Sequence, residues 1–189
     1  MEFDKDVEGA LAALRAGGLI LYPTDTIWGI GCDATDETAV AKVYALKQRE
    51  AAKSLIVLVA NERDLLQYTS QPDPRVFDYL RTVQKPTTVI YEGAIGLASN
   101  LVNADGTVAI RVAADQFCRH LIKRFRKPIV STSANLSGDP APAFFADIDP
   151  RIVRGVDYVA EHRRDDRTAR EPSAIIKWNP GGAPTVIRS

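Results

Sequence analysis

The chain has 189 residues, 46% of them hydrophobic, which is enough to bury roughly 70% of the surface its unfolded form would expose. Lys plus Arg and Asp plus Glu both number 24, so the formal net charge is zero and no global positive field draws the protein onto nucleic acid. Cys32 and Cys118 have no companion at metal-ligand spacing, and His120 and His162 stand alone, which argues for reduced thiols and against a zinc site. No apolar run approaches the roughly 18 residues of a membrane span, and the N-terminal residues lack the basic-then-apolar order of a signal peptide. The expectation is one soluble, cytoplasmic domain over residues 1–189 with no membrane association.

Val7, Leu11 and Leu14 recur at helical spacing and Gly17-Gly18 can supply a left-handed stop, which predicts a first helix over about 4 to 16. Leu19 to Tyr22 reads as a buried strand. It runs into Pro23-Thr24-Asp25-Thr26-Ile27-Trp28-Gly29-Ile30-Gly31-Cys32-Asp33, read as a loop with hydroxyls, a carboxylate, an indole and glycines. Such a loop lets a ligand approach the backbone; equally, Thr24 or Asp25 can bond nearby amides and close a plain turn. Thr35 or Asp36 can cap a second helix whose apolar face is Val40, Val43 and Tyr44 and which delivers Lys47 at its end.

Lys47-Gln48-Arg49-Glu50-Ala51-Ala52-Lys53 packs three cations into seven residues just before the apolar strand 54–59. A helix C-terminus attracts cations by itself. Cations on a helix-to-strand connection are also well placed to face an anion, and the planar fork of arginine suits phosphate or carboxylate.

Asn61 can cap a short helix, and Asp73-Pro74 opens another in which Val76, Leu80 and Val83 share a face. Thr87 to Tyr91 and Thr107 to Val112 read as strands. In the second, alternation puts Thr107, Ala109 and Arg111 on the face opposite Val108, Ile110 and Val112. Asp115 can cap a helix carrying Phe117, Leu121, Ile122 and Phe125, and Pro128 to Val130 predicts a short strand.

That strand opens into Ser131-Thr132-Ser133-Ala134-Asn135-Leu136-Ser137-Gly138, the densest set of neutral donors and acceptors in the chain. It can hold a ribose, a phosphate or an amino acid, or close on itself as a turn. Residues 157–160 read as a strand and 162–170 as a mobile, mixed-charge loop. Ser173 to Trp178 and Thr185 to Arg188 read as a hairpin. Helices and strands alternate early and strands dominate late, so the fold class is α/β with a mixed sheet.

The chain lacks a Gly-x-x-x-x-Gly-Lys-[Ser/Thr] loop, a Gly-x-Gly-x-x-Gly after a strand and a Gly-x-Ser-x-Gly elbow. What remains is a set of cations on separate elements, Lys47, Arg49, Lys53, Arg111 and Arg188, with hydroxyl-rich loops and no nucleophile and base pair. That set suits catalysis by positioning and charge neutralisation, as phosphoryl-type transfer requires.

The ordered series Tyr22-Pro23-Thr24-Asp25-Thr26, Trp28-Gly29-Ile30-Gly31-Cys32-Asp33, Lys47-x-Arg49 with Lys53, Ile110-Arg111-Val112, Ser131-Thr132-Ser133-Ala134-Asn135, Pro172-Ser173 and Arg188 resembles the YrdC-like threonylcarbamoyl-AMP synthases over nearly the whole chain. The resemblance implies an α/β fold with a twisted mixed β-sheet, flanking helices and a concave cationic cavity. It implies synthesis of threonylcarbamoyl-AMP and pyrophosphate from ATP, L-threonine and bicarbonate, with other proteins passing the group to tRNA adenosine next to the anticodon. By position, Lys47 and Arg49 are then catalytic and hold the ATP phosphates with Lys53 nearby, while Thr107, Ser133, Asn135 and Arg188 contact the nucleotide. Thr24, Arg111, Ser131 and Ser173 form the threonine pocket, with Arg111 on the carboxylate. Mg2+ is expected on the phosphates, held through ATP and water and not by a protein metal site.

Glu50 stands where the family often has proline, and Ala174 where threonine is usual. The chain also ends without the C-terminal domain of longer members, which makes residues 162–170 the expected lid. The alternatives are a paralogue with the same cavity and other chemistry, and a double-stranded RNA or ribosome-binding module that uses the cationic concavity for backbone phosphates.

Overall fold

In the computed structural model, which describes residues 2–49, 55–179 and 181–189, the helices begin and end on the caps written in the sequence. Helix α1 (Asp4–Arg15) buries Val7, Ala10, Leu11 and Leu14 along one stripe and stops before Gly17, whose φ of 69° a side chain would resist. Helix α2 (Glu37–Lys47) starts at Asp36, whose Oδ1 accepts from the N–H groups of Thr38 and Ala39 at 2.8 and 3.2 Å. Asn61 caps α3 (Glu62–Leu65) in the same way, Pro74 leads into α4 (Arg75–Thr82), and Asp115 caps α5 (Gln116–Phe125). The sequence reading missed α6 (Pro150–Arg154), a single turn with proline at its start and Asp149 accepting from the Arg151 N–H at 2.7 Å.

The strands are β1 (Ile20–Tyr22), β2 (Gly29–Gly31), β3 (Ile56–Val59), β4 (Thr87–Tyr91), β5 (Val108–Val112), β6 (Ile129–Ser133), β7 (Tyr158–Val159), β8 (Ala174–Trp178) and β9 (Pro184–Arg188). They form one mixed sheet in the order β7-β1-β2-β6-β3-β5-β4-β8-β9. The pairs β1/β7, β3/β5 and β4/β8 are parallel and the other neighbours antiparallel. Strand β2 lies within the stretch read as a loop, because Gly-Ile-Gly has little strand propensity of its own. Its glycines have a packing reason: a Cβ on Gly31 would sit 2.7 Å from the Tyr22 ring and 2.8 Å from the Val130 carbonyl. The hydroxyl stretch is likewise strand up to Ser133, with Ser131 opposite Ile56 and Ser133 opposite Gly29.

Strands β2 and β9 are six places apart, which at about 4.8 Å per strand would separate them by about 29 Å in a flat sheet. Gly29 and Arg188 nevertheless line one cavity, so the sheet curls and its concave face makes the site.

Asp6, in the first turn of α1, fixes the far end of this wall. Its Oδ1 accepts from Tyr158 Oη and the Glu161 N–H at 2.7 and 2.8 Å, and its Oδ2 from the His162 N–H at 2.6 Å. Gly9 makes room for this arrangement, since a Cβ there would lie 2.1 Å from the Tyr158 ring. Burial pushes the Asp6 carboxyl up, but the bonds from Glu161, Tyr158 and His162 outweigh it and hold the group below the usual aspartate range. A lowered folded-state pKa gives stability that is present above the unfolded value and is lost as pH falls through the folded one. Asp6→Ala strands three donors, which should cost about 3 kcal/mol or more in urea denaturation at neutral pH. An unchanged midpoint would show that Asp6 is not the anchor.

Candidate active site

The concave face holds a cavity of about 160 Å³. Arg49, Arg111 and Arg188 line it from separate parts of the chain, together with Ser131, Ser133 and Ser173. Thr26, Trp28 and Gly29 complete one wall.

The end of α2 sorts its two cations to different places. Gln48 takes a left-handed conformation (φ 51°), the Gln48 N–H donates to Ala45 O at 3.1 Å, and the Arg49 N–H donates to Tyr44 O at 3.0 Å. Lys47 is still helical and falls on the buried stripe of Val40, Val43 and Tyr44, so it points inward, while the reversal at Gln48 leaves Arg49 half-buried at the cavity. Lys47 is 0% exposed, does not line the cavity, and its ammonium donates to Ser133 O and, at 2.6 Å, to Asn135 O. Lys53 and Glu50 lie outside the described residues.

Burial, and then the charge of Arg49, push the Lys47 pKa down from 10.5 to about 7. Between those values the unfolded chain binds more protons than the folded one, so this group's contribution to stability rises with pH across that window. The unfolding free energy of wild type should therefore gain on that of Lys47→Met as pH rises from about 7 towards 10.5. A flat difference would show that the bonds to Ser133 O and Asn135 O offset the burial and keep the ammonium protonated.

Arg111 projects from β5 and is only 3% exposed. Its Nη1 donates to Thr26 Oγ1 at 3.0 Å, and its Nη2 lies 3.2 Å from Asp25 Oδ1, an ion pair without hydrogen-bond geometry. Asp25 Oδ2 accepts from the Ala114 N–H at 3.3 Å. Arg111 Nε is buried without a hydrogen-bond partner, and the residue lines the cavity. Thr24 is a builder of this loop: its hydroxyl donates to Ile27 O at 2.8 Å and accepts from the Thr26 N–H at 3.0 Å, and Thr26, not Thr24, lines the cavity. Asp25 and Thr26 were not singled out from the sequence, although the Pro-Thr-Asp-Thr run after a buried strand carried the signal.

Arg188, on β9 opposite Ile175, donates through Nε and Nη2 to Ser173 O at 3.1 and 2.8 Å. Burial and then the nearby Arg111 charge pull its proton affinity down. The Ser173 hydroxyl shares a proton with Thr88 Oγ1 at 2.8 Å. Two expected nucleotide contacts sit away from this space. Thr107 bonds Asp105 Oδ1 at 2.6 Å, and the Asn135 amide donates to Leu136 O and Asp139 O at 2.9 and 2.7 Å.

The segment read as a mobile lid is tied to the same wall. Arg163 donates to Thr24 O at 2.5 Å, Arg164 to Ala160 O and Val159 O at 2.8 Å each, and Arg170 pairs with Asp166 at 2.7 Å. Phe145 is held between Trp28, with centroids 4.9 Å apart, and the Arg164 guanidinium, 5.0 Å from its ring. Among the described residues no three His, Cys, Asp or Glu side chains gather as a metal site, and no helix is long and apolar enough to cross a membrane.

Residues 12–189 match the profile of the Sua5/YciO/YrdC family, described as telomere recombination. A threonylcarbamoyl-AMP synthase of Stenotrophomonas maltophilia is 34% identical over 158 residues, covering 82% of this chain and 85% of that protein. The protein of the same name from Chromohalobacter salexigens is 38% identical over 149 residues, covering 75% and 77%. Among solved structures, Escherichia coli YciO superposes with a TM-score of 0.83 at 21% identity, covering 98% of this chain and 89% of that one. P. abyssi Sua5 complexed with L-threonine superposes with a TM-score of 0.85 at 23% identity. The match covers 97% of this chain but 54% of that Sua5, about half its length.

Proposed function

The chain belongs to the Sua5/YciO/YrdC family, and on that footing we propose that it is a nucleotidyltransferase, a threonylcarbamoyl-AMP synthase acting as one domain over residues 1–189. Its substrates are ATP, L-threonine and bicarbonate. Its products are threonylcarbamoyl-AMP and pyrophosphate, the first being the donor that separate proteins transfer to tRNA adenosine beside the anticodon. The observation that carries this reading is the convergence of Arg49, Arg111 and Arg188 on one hydroxyl-lined cavity.

The amine of threonine and bicarbonate condense to a carbamate with loss of water. A carbamate oxygen then attacks the α-phosphorus of ATP, forming a P–O bond as the bond to pyrophosphate breaks. This asks the protein for alignment and for neutralisation of charge on the phosphates. Arg111 receives the threonine carboxylate at the cavity wall, with Thr26, Ser131 and Ser173 around it. Arg49 and Arg188 face the phosphates, and Ser133 faces the nucleotide. Asp25 is engaged by Arg111 and the Ala114 N–H. Magnesium would enter on ATP, as part of the substrate.

The test is pyrophosphate release from ATP with and without threonine and bicarbonate, with mass spectrometry of the nucleotide product. Release that needs both, with an adenylate carrying a threonylcarbamoyl group, is expected. Bound ATP with no release under any combination would overturn the proposal.

A further inference from the structure

The Lys-x-Arg pair invites one role for both cations, yet the fold gives them different surroundings. The Lys47 ammonium sits inside the protein on two backbone carbonyls, those of Ser133 and Asn135. The backbone carbonyl of Lys47 accepts from the Ser137 N–H at 2.8 Å, so one residue at the end of α2 holds the turn after β6 at three points. Ser133 O also accepts from the Asn135 N–H at 2.9 Å, and the Ala134 N–H donates to Trp28 O at 3.1 Å. The turn is thereby locked between α2 and the Trp28 wall. Ser133 is the last residue of β6 and lines the cavity, so whatever fixes its carbonyl fixes where its hydroxyl points.

A buried ammonium is costly to desolvate and persists where hydrogen bonds compensate it. Leucine or methionine would fill the space without donors, removing one donor from each carbonyl and leaving Ser133 O only the Asn135 N–H. Lysine is the unbranched side chain that reaches them with several donors on one atom.

We infer that Lys47 is a positioning residue and not a phosphate ligand: its buried ammonium staples the Ser133–Ser137 turn to the end of α2 and so sets the Ser133 hydroxyl against the nucleotide. This rests on the reading that the cavity takes ATP and threonine. Arg49, two residues on, is then the member of the pair that meets the phosphates.

Inorganic tripolyphosphate separates the two roles. Its affinity, measured by calorimetry, should fall roughly tenfold or more in Arg49→Ala and stay within about twofold of wild type in Lys47→Met, whereas equal losses would overturn the inference. In ligand-free Lys47→Met the amides of Asn135 and Ser137 should lose hydrogen-exchange protection while β3 and β5 keep theirs, and turnover should drop roughly 10²-fold through misplacement. Unchanged protection at those amides would also overturn it.

Should Lys47→Met fail to fold, the wild type still decides. Scalar couplings across the hydrogen bonds from Lys47 Nζ to the carbonyl carbons of Ser133 and Asn135 should be detectable by NMR and persist under saturating tripolyphosphate; their loss on titration would make Lys47 a phosphate ligand. A protein with these couplings but no pyrophosphate release would sink the assigned activity and leave the staple standing. An active protein that loses them would do the reverse.

Discussion

Arg111→Ala should raise the threonine concentration required for half-maximal pyrophosphate release by about 30-fold or more, equivalent to about 2–5 kcal/mol for truncating one member of a buried charge pair. The arginine is buried, so the loss is not screened by solvent, and the change also leaves the Asp25 carboxylate without its counter-charge. ATP affinity should move less, because Arg49 and Arg188 still face the cavity. Arg111→Lys keeps the charge but not the fork that bonds Thr26 and a carboxylate together, so it should fall between the two. Steady-state kinetics in threonine at saturating ATP give the answer. An unchanged threonine dependence in the alanine variant would remove Arg111 from the amino-acid pocket.

For Arg49→Ala the expected result is a fall in turnover of about 10²–10³-fold, the usual consequence of removing one preorganised group that stabilises transition-state charge. Arg49 follows a completed helix turn and its side chain is half-buried at the cavity edge, so the thermal midpoint should stay close to that of wild type. Single-turnover pyrophosphate release together with a melting curve separates lost chemistry from lost fold. Wild-type turnover would refute the phosphate role; a collapse of the melting curve would show that Arg49 holds the structure and does not simply face the ligand. Lys47→Met, by contrast, should show its defect first in the Ser133–Ser137 turn.

Much of this site could be read along the chain. Arg49, Arg111, Ser131, Ser133 and Arg188 stand out by residue type and Ser173 through the family resemblance, and all line one cavity. What the sequence leaves open is which way each side chain turns. Lys47 and Arg49 are alike in sequence, but Lys47 ends the buried stripe of α2 and a left-handed Gln48 after it carries Arg49 to the cavity. Thr24 and Thr26 are both threonines of the same loop, but Thr24 is spent on the Ile27 carbonyl, which leaves Thr26 to meet Arg111. Asn135 and Thr107 look like free polar groups until the turn and Asp105 use them.

Local chemistry determined what local chemistry can. The caps at Asp36, Asn61 and Asp115, the stop at Gly17 and the strands of alternating or β-branched residues follow from hydrogen bonds and steric limits within a few positions, so the sequence by itself specified every helix but α6, most strands and the mixed α/β class. Strand β2 needed more, because Gly-Ile-Gly is a strand only when β1 and β6 supply hydrogen bonds on both sides and no room for a Cβ. The cavity needed the most. Arg188 and Gly29 share it through the accumulated curl of the sheet, a sum of small twists over strands far apart in sequence, and only the tertiary structure carries that sum.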